Sequence, residues 1–275
     1  MSIVASIIYG FVSGLTEILP VSSRAHQILL RYMFGVESRN FLQEFLVHIG
    51  VLLAILIAYR EYLMHIRRER HNTPLLYKKN RRSDSIFFYD LRLLKTAAFA
   101  LCFGSTLLFI VTKIEYKLLS VAGLLILNAF ILLLATHSRH GNKDARSMSA
   151  LDGIIIGILG CLSIFPGISR IGIISSYTTL RGVEYKHFTN WAVFLSIPAI
   201  VLFCVFDIIG IVSVGVVVDS VAAFVGYILS GIAAFGGGYF SISILLVILN
   251  HFGFSHFAYY SIGLSLFSFI LYLIT

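Results

Sequence analysis

Two stretches of the sequence decide the fold: GLTEILPVSSRAH at residues 14–26 and CLSIFPGISRIG at residues 161–172. In each stretch a proline interrupts an apolar run, and a Ser-Arg pair follows three and four residues after that proline. Membrane proteins rarely keep charged and polar side chains within apolar segments unless those side chains are used. The repeated pattern therefore predicts two related elements that contribute to one site.

The composition is typical of a membrane protein. Of the 275 residues, 58% are hydrophobic and 12% are charged, whereas soluble domains carry about 25% charged residues. Apolar runs long enough to cross a bilayer as helices lie at residues 41–64, 86–112, 118–136, 188–213, 220–249 and 257–274. We therefore expect an all-α polytopic membrane protein with six transmembrane helices and two shorter re-entrant helical hairpins.

The basic residues are concentrated in two polar loops, at 65–85 and 137–149. Loops rich in Lys and Arg generally stay in the cytoplasm, so both loops are predicted to be cytoplasmic. This distribution accounts for the net charge of +8, and we expect no nucleic-acid partner. The three cysteines lie in apolar segments without metal-ligand spacing and predict no disulfide.

The loop charges also predict an inverted repeat. With both basic loops in the cytoplasm, the segment 1–36 begins and ends on the outer side, and the segment 150–182 begins and ends on the cytoplasmic side. Each segment consists of two short apolar halves and is followed by three spans. We therefore predict one membrane domain with two antiparallel repeats, 1–138 with the re-entrant hairpin 2–36 and 148–275 with the re-entrant hairpin 150–182.

The two hairpin breaks are expected to share one cavity. They fall at Pro20 and at Pro166-Gly167, and non-helical backbone at membrane depth is tolerated only inside protein or beside a wet cavity. Small residues should let the hairpin helices pack closely against their neighbours. These residues are Gly10, Gly14, Gly157 and Cys161.

The residues at the breaks predict a site for an anion. Arg24 and Arg170 stand beside helix starts, where guanidinium groups and free backbone N–H groups both suit phosphate oxygens. Ser22, Ser23 and Ser169 can donate to the same ligand. Two alternatives stay open: the serines can serve only as helix caps, and Arg24 can extend to the membrane interface.

Other polar residues in apolar segments have several interpretations. Glu17 is costly within an apolar helix unless it is paired, so we expect it to hold a divalent cation or to move a proton. His26 is a candidate for acid–base chemistry, and His48 a candidate for lining a cavity. Asp152 is expected to cap the second hairpin, and Asp207 is expected to lie at the membrane interface.

The sequence closely resembles the undecaprenyl-diphosphate phosphatase family of the bacitracin-resistance type. The resemblance is carried by residues 14–26, by Pro166-Gly167-x-Ser169-Arg170-x-Gly172, and by FLVHIGVLLA at residues 45–54. It covers nearly the whole chain in order and spacing. It implies an integral membrane enzyme of the bacterial plasma membrane, with its site open to the outer face. Such an enzyme removes the terminal phosphate of undecaprenyl diphosphate and recycles the lipid carrier for cell-wall synthesis.

The resemblance and the residue pattern together give a set of candidate site residues. The catalytic candidates are Glu17, Ser23, His26 and Arg170, with the nucleophile left open between Ser23, His26 and water. The phosphate-binding candidates are Ser22, Arg24, Ser169 and Gly167, and the candidates for lining the cavity are Ser13, His48 and Tyr177. Glu17 is also the candidate ligand of a divalent cation, Mg²⁺ or Ca²⁺.

Three positions depart from the family pattern and leave two functions open. The resemblance implies a second glutamate where this chain has Ser13, and hydroxyl residues where it has Ile171 and Ile174. The first hypothesis is a phosphatase, and the alternative is a weakened or inactive homologue that binds or transports a polyprenyl phosphate. The expected partners are a polyprenyl (di)phosphate lipid, the bilayer and a second copy of the chain in a homodimer.

Overall fold

A computed structural model describes residues 1–36, 38–61, 64, 86–109, 114, 116–136 and 141–274. These residues form ten α-helices and contain no β-strand. The helices of the first half are α1 (Ile3–Ile18), α2 (Ser23–Met33), α3 (Phe41–Ala58), α4 (Ile86–Leu107) and α5 (Leu118–Thr136). Those of the second half are α6 (Ala150–Cys161), α7 (Arg170–Leu180), α8 (Tyr185–Val214), α9 (Val221–Phe252) and α10 (Ser255–Ile274). The whole predicted loop 65–85, and residues 137–140, lie outside the described residues.

The all-α membrane architecture is confirmed. Among the described residues, five helices are long and apolar enough to span a bilayer: α3, α5, α8, α9 and α10. Each corresponds to a predicted span. The remaining predicted span, 86–112, overlaps α4, which has 22 residues but carries Asp90, Arg92 and Lys95 in its first ten positions. The role of α4 as a sixth span therefore stays a prediction.

The four hairpin helices are too short to cross a bilayer. The longest, α1, has 16 residues and a length of about 24 Å, whereas the hydrocarbon core is about 30 Å thick. In the first hairpin, α1 ends at Ile18 and α2 begins at Ser23. In the second, a short 3₁₀ turn follows α6, and α7 begins at Arg170. Both helix breaks therefore fall at the predicted prolines, Pro20 and Pro166.

The helices of each half pack on helices of the other half, and the pairs are reciprocal. The first hairpin helix, α1, packs along α9, and the corresponding helix of the second half, α6, packs along α4. The last helices of the two halves, α5 and α10, pack on each other, as do α3 and α8. An inverted repeat requires such reciprocal pairing. The pairing supports the predicted repeat boundaries, which stay a prediction.

Glycines allow the close approach of the hairpin helices. A Cβ atom on Gly10 would overlap the carbonyl oxygen of Ser230, and one on Gly157 would overlap that of Ala97. The predicted role of small residues in packing is confirmed at these positions. Because α1 and α6 are held tightly along α9 and α4, the ends of both helices are fixed where the hairpins break.

Candidate functional site

The two hairpin breaks meet at one small cavity. Both hairpins contribute charged and hydroxyl side chains to its wall, and α8 contributes one aromatic ring. The lining residues are Thr16, Glu17, Ser22, Ser23, Arg24, Ser163, Ile168, Ser169, Arg170 and Phe203. The structure thus brings together the predicted residues Glu17, Ser22, Ser23, Arg24, Ser169 and Arg170. Gly167 adjoins them through a hydrogen bond to Ser22.

An ion pair joins the two hairpins at this cavity. Nη2 of Arg170 donates to Oε1 of Glu17 over 2.7 Å, and Nε of Arg170 donates to Oγ of Ser196 over 3.3 Å. The Arg170 side chain is 3% exposed and that of Glu17 is 11% exposed. The carboxylate thus offsets the cost of burying the guanidinium, and Ser196 on α8 fixes its direction. The sequence indicated Glu17 and Arg170 but gave no sign of Ser196.

Arg24 lines the same cavity and is held in a different way. Its Nη1 donates to the carbonyl oxygen of Ile164 over 3.2 Å. Its guanidinium carbon lies 4.6 Å from the centre of the Phe203 ring, which is cation–π geometry. Within the described part of the chain, no carboxylate oxygen lies within 4.0 Å of this guanidinium. Arg24 therefore lies at the wall of the cavity, next to the Phe203 ring.

The backbone between α1 and α2 is bound to the second hairpin through Ser22. Ser22 has a φ of +64°, in the left-handed region that residues other than glycine seldom adopt. Its Oγ accepts a hydrogen bond from the N–H of Gly167 over 2.9 Å and does not cap α2. The first turn of α2 therefore begins without a side-chain cap, and its N–H groups are oriented as an anion site would require.

The other two serines have separate roles. Oγ of Ser169 accepts from the N–H of Gly172 over 3.1 Å, so Ser169 caps α7, and the same oxygen donates to the carbonyl of Leu19 over 3.3 Å. Oγ of Ser23 donates to the carbonyl oxygen of Ser13 over 3.2 Å. Ser23 is the first residue of α2 and lines the cavity. Of the three serines, Ser23 is therefore the best placed to react with a ligand.

Asn128 on α5 connects both hairpin breaks and was not recognised from the sequence. Its amide nitrogen donates to the carbonyl oxygen of Pro20 over 3.3 Å and to Oγ of Ser261 over 3.2 Å. Its amide oxygen accepts from the N–H of Ser169 over 2.9 Å. The side chain is fully buried. An amide in the middle of an apolar helix was the signal that could have identified it.

His26 lies next to the site but is not among the residues that line the cavity. Its Nδ1 lies 2.8 Å from the carbonyl oxygen of Ser22, and its Nε2 lies 2.7 Å from the hydroxyl of Tyr260. A carbonyl oxygen only accepts hydrogen bonds, so Nδ1 carries a proton. Both ring nitrogens are thus occupied by the protein. This geometry favours a structural role for His26 and leaves Ser23 as the nucleophile candidate that faces the cavity.

A second polar cluster lies beside the site, between α3 and α8. Nη2 of Arg39 and Nδ1 of His48 each lie 2.6 Å from a carboxylate oxygen of Asp207, and Nε of Arg39 lies 2.7 Å from Oε2 of Glu44. The hydroxyl of Tyr9 donates to Glu44 over 3.3 Å. The side chain of Asp207 is fully buried against α3, and its location at the membrane interface stays a prediction. His48 faces this cluster and is not among the cavity-lining residues.

Tyr177 is also absent from the cavity wall. Its hydroxyl donates to Oδ1 of Asp152 over 2.7 Å at the start of α6. Asp152 forms a capping box with Ser149, which confirms the predicted cap of the second hairpin. Arg181 completes this group through an ion pair of 2.9 Å with Asp152.

Comparison with known proteins shows the family. Residues 6–267 match the family described as bacitracin resistance protein BacA. The chain belongs to the BacA family. It is 32% identical to the undecaprenyl-diphosphatase of Carboxydothermus hydrogenoformans, over 93% of this chain and 92% of that protein. It is 30% identical to undecaprenyl-diphosphatase 1 of Shouchella clausii, over 73% and 72%, and 28% identical to the undecaprenyl-diphosphatase of Neisseria gonorrhoeae, over 98% and 96%.

The three positions at which the resemblance implied other residues differ in their surroundings. Ile171 and Ile174 are buried in the hydrophobic core and do not line the cavity. Ser13 lies one helical turn before Glu17, and its buried hydroxyl has no hydrogen-bond partner among the described residues. Ser13 is also not among the cavity-lining residues, although it was a candidate for that role.

The donor atoms of the cavity do not by themselves fit a resident divalent cation. Mg²⁺ and Ca²⁺ are usually held by several oxygen ligands that include carboxylates. In the part of the chain that the structure describes, Glu17 is the single carboxylate that lines the cavity, and it is paired with Arg170. No group of three His, Cys, Asp or Glu side chains with metal-binding geometry occurs among the same residues. The Mg²⁺ or Ca²⁺ ion implied by the resemblance stays a prediction.

Proposed function

We propose that this protein is a membrane phosphatase that removes the terminal phosphate of undecaprenyl diphosphate and so recycles the lipid carrier of cell-wall synthesis. The observation that carries the proposal is the Glu17–Arg170 pair, which stands with Ser23 where the two hairpins meet. Membership of the BacA family and the undecaprenyl-diphosphatase relatives support hydrolysis over the alternative of binding or transport alone.

The cavity binds the diphosphate and leaves the lipid chain outside. Arg170 and Arg24 attract the phosphate oxygens, and the uncapped first turn of α2 adds backbone N–H donors. The cavity is small and lined mostly by charged and hydroxyl side chains, so it suits a phosphate group and not an apolar chain of eleven isoprene units. The chain therefore extends along the apolar outer surface of the helices into the bilayer.

The reaction proceeds through Ser23. Its Oγ attacks the terminal phosphorus, the bond from that phosphorus to the bridging oxygen breaks, and undecaprenyl phosphate leaves. For this step the hydroxyl of Ser23 turns from the carbonyl of Ser13 to Glu17, which transfers the proton to the leaving oxygen. Water then attacks the phosphoserine and releases orthophosphate, while Glu17 carries a proton of the water back to Ser23.

Arg170 contributes electrostatic stabilisation in both steps. Phosphoryl transfer needs positive charge at the equatorial oxygens and accurate positioning. Arg170 is fixed by Glu17 and Ser196, so little reorganisation is needed when the transition state forms. Asn128 is hydrogen-bonded to both breaks and so fixes their positions relative to each other.

Product analysis tests this function. Purified protein in detergent micelles is incubated with undecaprenyl diphosphate, and the lipid and phosphate products are quantified. We expect one orthophosphate and one undecaprenyl phosphate for each substrate consumed. Release of pyrophosphate with free undecaprenol, or binding of the lipid without any product, would contradict the proposal.

The orientation in the plasma membrane is part of the proposal. The charge of the polar loops supports cytoplasmic loops at 65–85 and 137–149 and a cavity open to the outer face. An impermeant reagent should label a cysteine at the exposed position Ser147 only when it is added on the cytoplasmic side. It should label a cysteine at the exposed position Val216 only when it is added on the outer side. The reverse pattern would invert the topology. The predicted homodimer is tested by the mass of the detergent-solubilised protein.

A further inference from the structure

The charges that line the cavity do not cancel. Arg170 and Glu17 form a neutral pair, whereas Arg24 has no carboxylate partner within the described residues. A cation in a largely buried position is costly unless something compensates it. The cavity therefore carries one uncompensated positive charge, directed toward the space that a ligand would occupy.

The groups that hold Arg24 fix its position without neutralising it. The Ile164 carbonyl accepts one of its N–H groups, and the Phe203 ring lies under its guanidinium plane. Phe203 is itself positioned by His48 and Phe206, at ring-centre distances of 5.6 Å and 6.3 Å. Carbonyl and aromatic contacts leave the remaining N–H donors of Arg24 available for a ligand.

The carboxylates of the neighbouring cluster are paired with other groups. Glu44 is bound by Arg39 and by the hydroxyl of Tyr9, and Asp207 is bound by Arg39 and His48. Among the described residues, neither carboxylate forms an ion pair with Arg24, so the cluster does not occupy its donors.

We propose that Arg24 supplies the second positive charge that a diphosphate needs at this cavity, so that binding and hydrolysis require no divalent cation held by the protein. The proposal rests on the proposed function and extends it, because it assigns to an arginine the charge that Mg²⁺ often supplies in phosphoryl transfer. Arg170 of the second hairpin would bind the diphosphate beside Glu17, while Arg24 of the first hairpin would bind it as well. One diphosphate would then contact a cation from each half of the chain.

Binding of methylenediphosphonate, a diphosphate analogue that cannot be hydrolysed, tests the proposal apart from activity. Affinity is measured by calorimetry in excess EDTA for the unaltered protein, Arg24→Gln, Arg24→Lys and Arg31→Gln. Arg31 is a matched control because it lies on the same helix, two turns later, and does not line the cavity. We expect the unaltered protein to bind the analogue in EDTA. Arg24→Gln should lower the affinity about tenfold or more, which corresponds to 1.4 kcal/mol or more. Arg24→Lys should lower the affinity less, and Arg31→Gln should leave it unchanged.

Two results would overturn the proposal. One is equal affinity of Arg24→Gln and the unaltered protein in EDTA; the other is binding by the unaltered protein only when Mg²⁺ or Ca²⁺ is added. Thermal unfolding of each variant shows whether it is folded. If Arg24→Gln is not folded, the comparison of Arg24→Lys with the unaltered protein tests the role of Arg24.

Hydrolysis measured in parallel separates this proposal from the proposed function. Phosphate release in EDTA at a rate within about twofold of that with Mg²⁺ supports the role of Arg24, whereas release only with a divalent cation overturns it. If no condition yields phosphate, the proposed function fails, and the binding measurements alone decide whether Arg24 is the diphosphate-binding cation.

Discussion

Arg170 and Glu17 stand 153 positions apart in the sequence, and Nη2 of one donates to Oε1 of the other over 2.7 Å. Each residue lies at the end of a hairpin helix that stops before crossing the membrane. The ion pair therefore links the two breaks directly, and any ligand that reaches it contacts both halves of the chain. A site built from one hairpin alone would lack either the carboxylate or its guanidinium partner.

The charge of Glu17 is expected to be essential. Glu17→Gln retains a hydrogen-bond acceptor for Arg170 but cannot transfer a proton, and loss of an acid–base group typically lowers kcat by about 10²- to 10⁴-fold. Steady-state phosphate release should show this loss mainly in kcat. Glu184→Gln, on an exposed residue outside the cavity, is the control. An unchanged kcat in Glu17→Gln would remove Glu17 from the mechanism.

Ser23 and His26 should differ in their effects. Ser23→Ala removes the hydroxyl that faces the cavity and should reduce phosphate release to background. His26→Gln retains polar atoms near the carbonyl of Ser22 and the hydroxyl of Tyr260, so we expect a partial loss, matched by Tyr260→Phe. Residual activity of Ser23→Ala above that of His26→Gln would reverse the assignment and make water or His26 the nucleophile.

Much of the fold could be predicted from the sequence because its signals are local. Apolar runs of span length, prolines at residues 20 and 166, and basic loops each act within a short segment, and all ten helices follow from them. The meeting of the two breaks at one cavity was predictable because both carry polar groups that must avoid lipid. The pairing of Glu17 with Arg170 was not predicted, since Glu17 was expected to hold a divalent cation or to move a proton.

The supporting residues could not be predicted because they depend on how the helices pack. Asn128 and Ser196 reach the breaks only through the rotation of α5 and α8, which apolar sequences leave undetermined. Asp207 lies near the end of an apolar run, which gives no sign of its partners. The rotation of α8 turns it inward to Arg39 and His48.

Asn128 is expected to be a positioning residue. Asn128→Leu leaves the carbonyl of Pro20 and the N–H of Ser169 without their partner, and each unpaired buried group costs about 1–3 kcal/mol. Equilibrium unfolding in mixed micelles should show the loss of stability. The kcat of the folded fraction should also fall, because the two breaks lose their common anchor.

Asn190→Leu is a matched control, since Asn190 accepts one hydrogen bond from Tyr59 away from the cavity. It should change stability less than Asn128→Leu and leave kcat unaltered. Equal effects of the two variants on kcat would show that Asn128 has no special relation to the site.

The buried cluster around Asp207 should contribute strongly to stability. Asp207→Leu leaves His48 without its carboxylate and Arg39 with Glu44 alone, and removal of one partner from a buried ion pair costs about 3–5 kcal/mol. Unfolding in mixed micelles measures this loss. Asp90→Leu is the comparison, because Asp90 is buried and accepts a hydrogen bond from the neutral side chain of Trp191, so its replacement should cost less. A smaller cost for Asp207→Leu than for Asp90→Leu would contradict this account.

Phosphate release from undecaprenyl diphosphate by purified unaltered protein and by Arg170→Ala tests the central claim most directly. If the meeting point of the two hairpins is the catalytic site, the unaltered protein releases phosphate, and Arg170→Ala, folded by its thermal unfolding, loses activity by about 10³-fold or more. Equal phosphate release by the two proteins would contradict the claim and place the reaction elsewhere on the molecule.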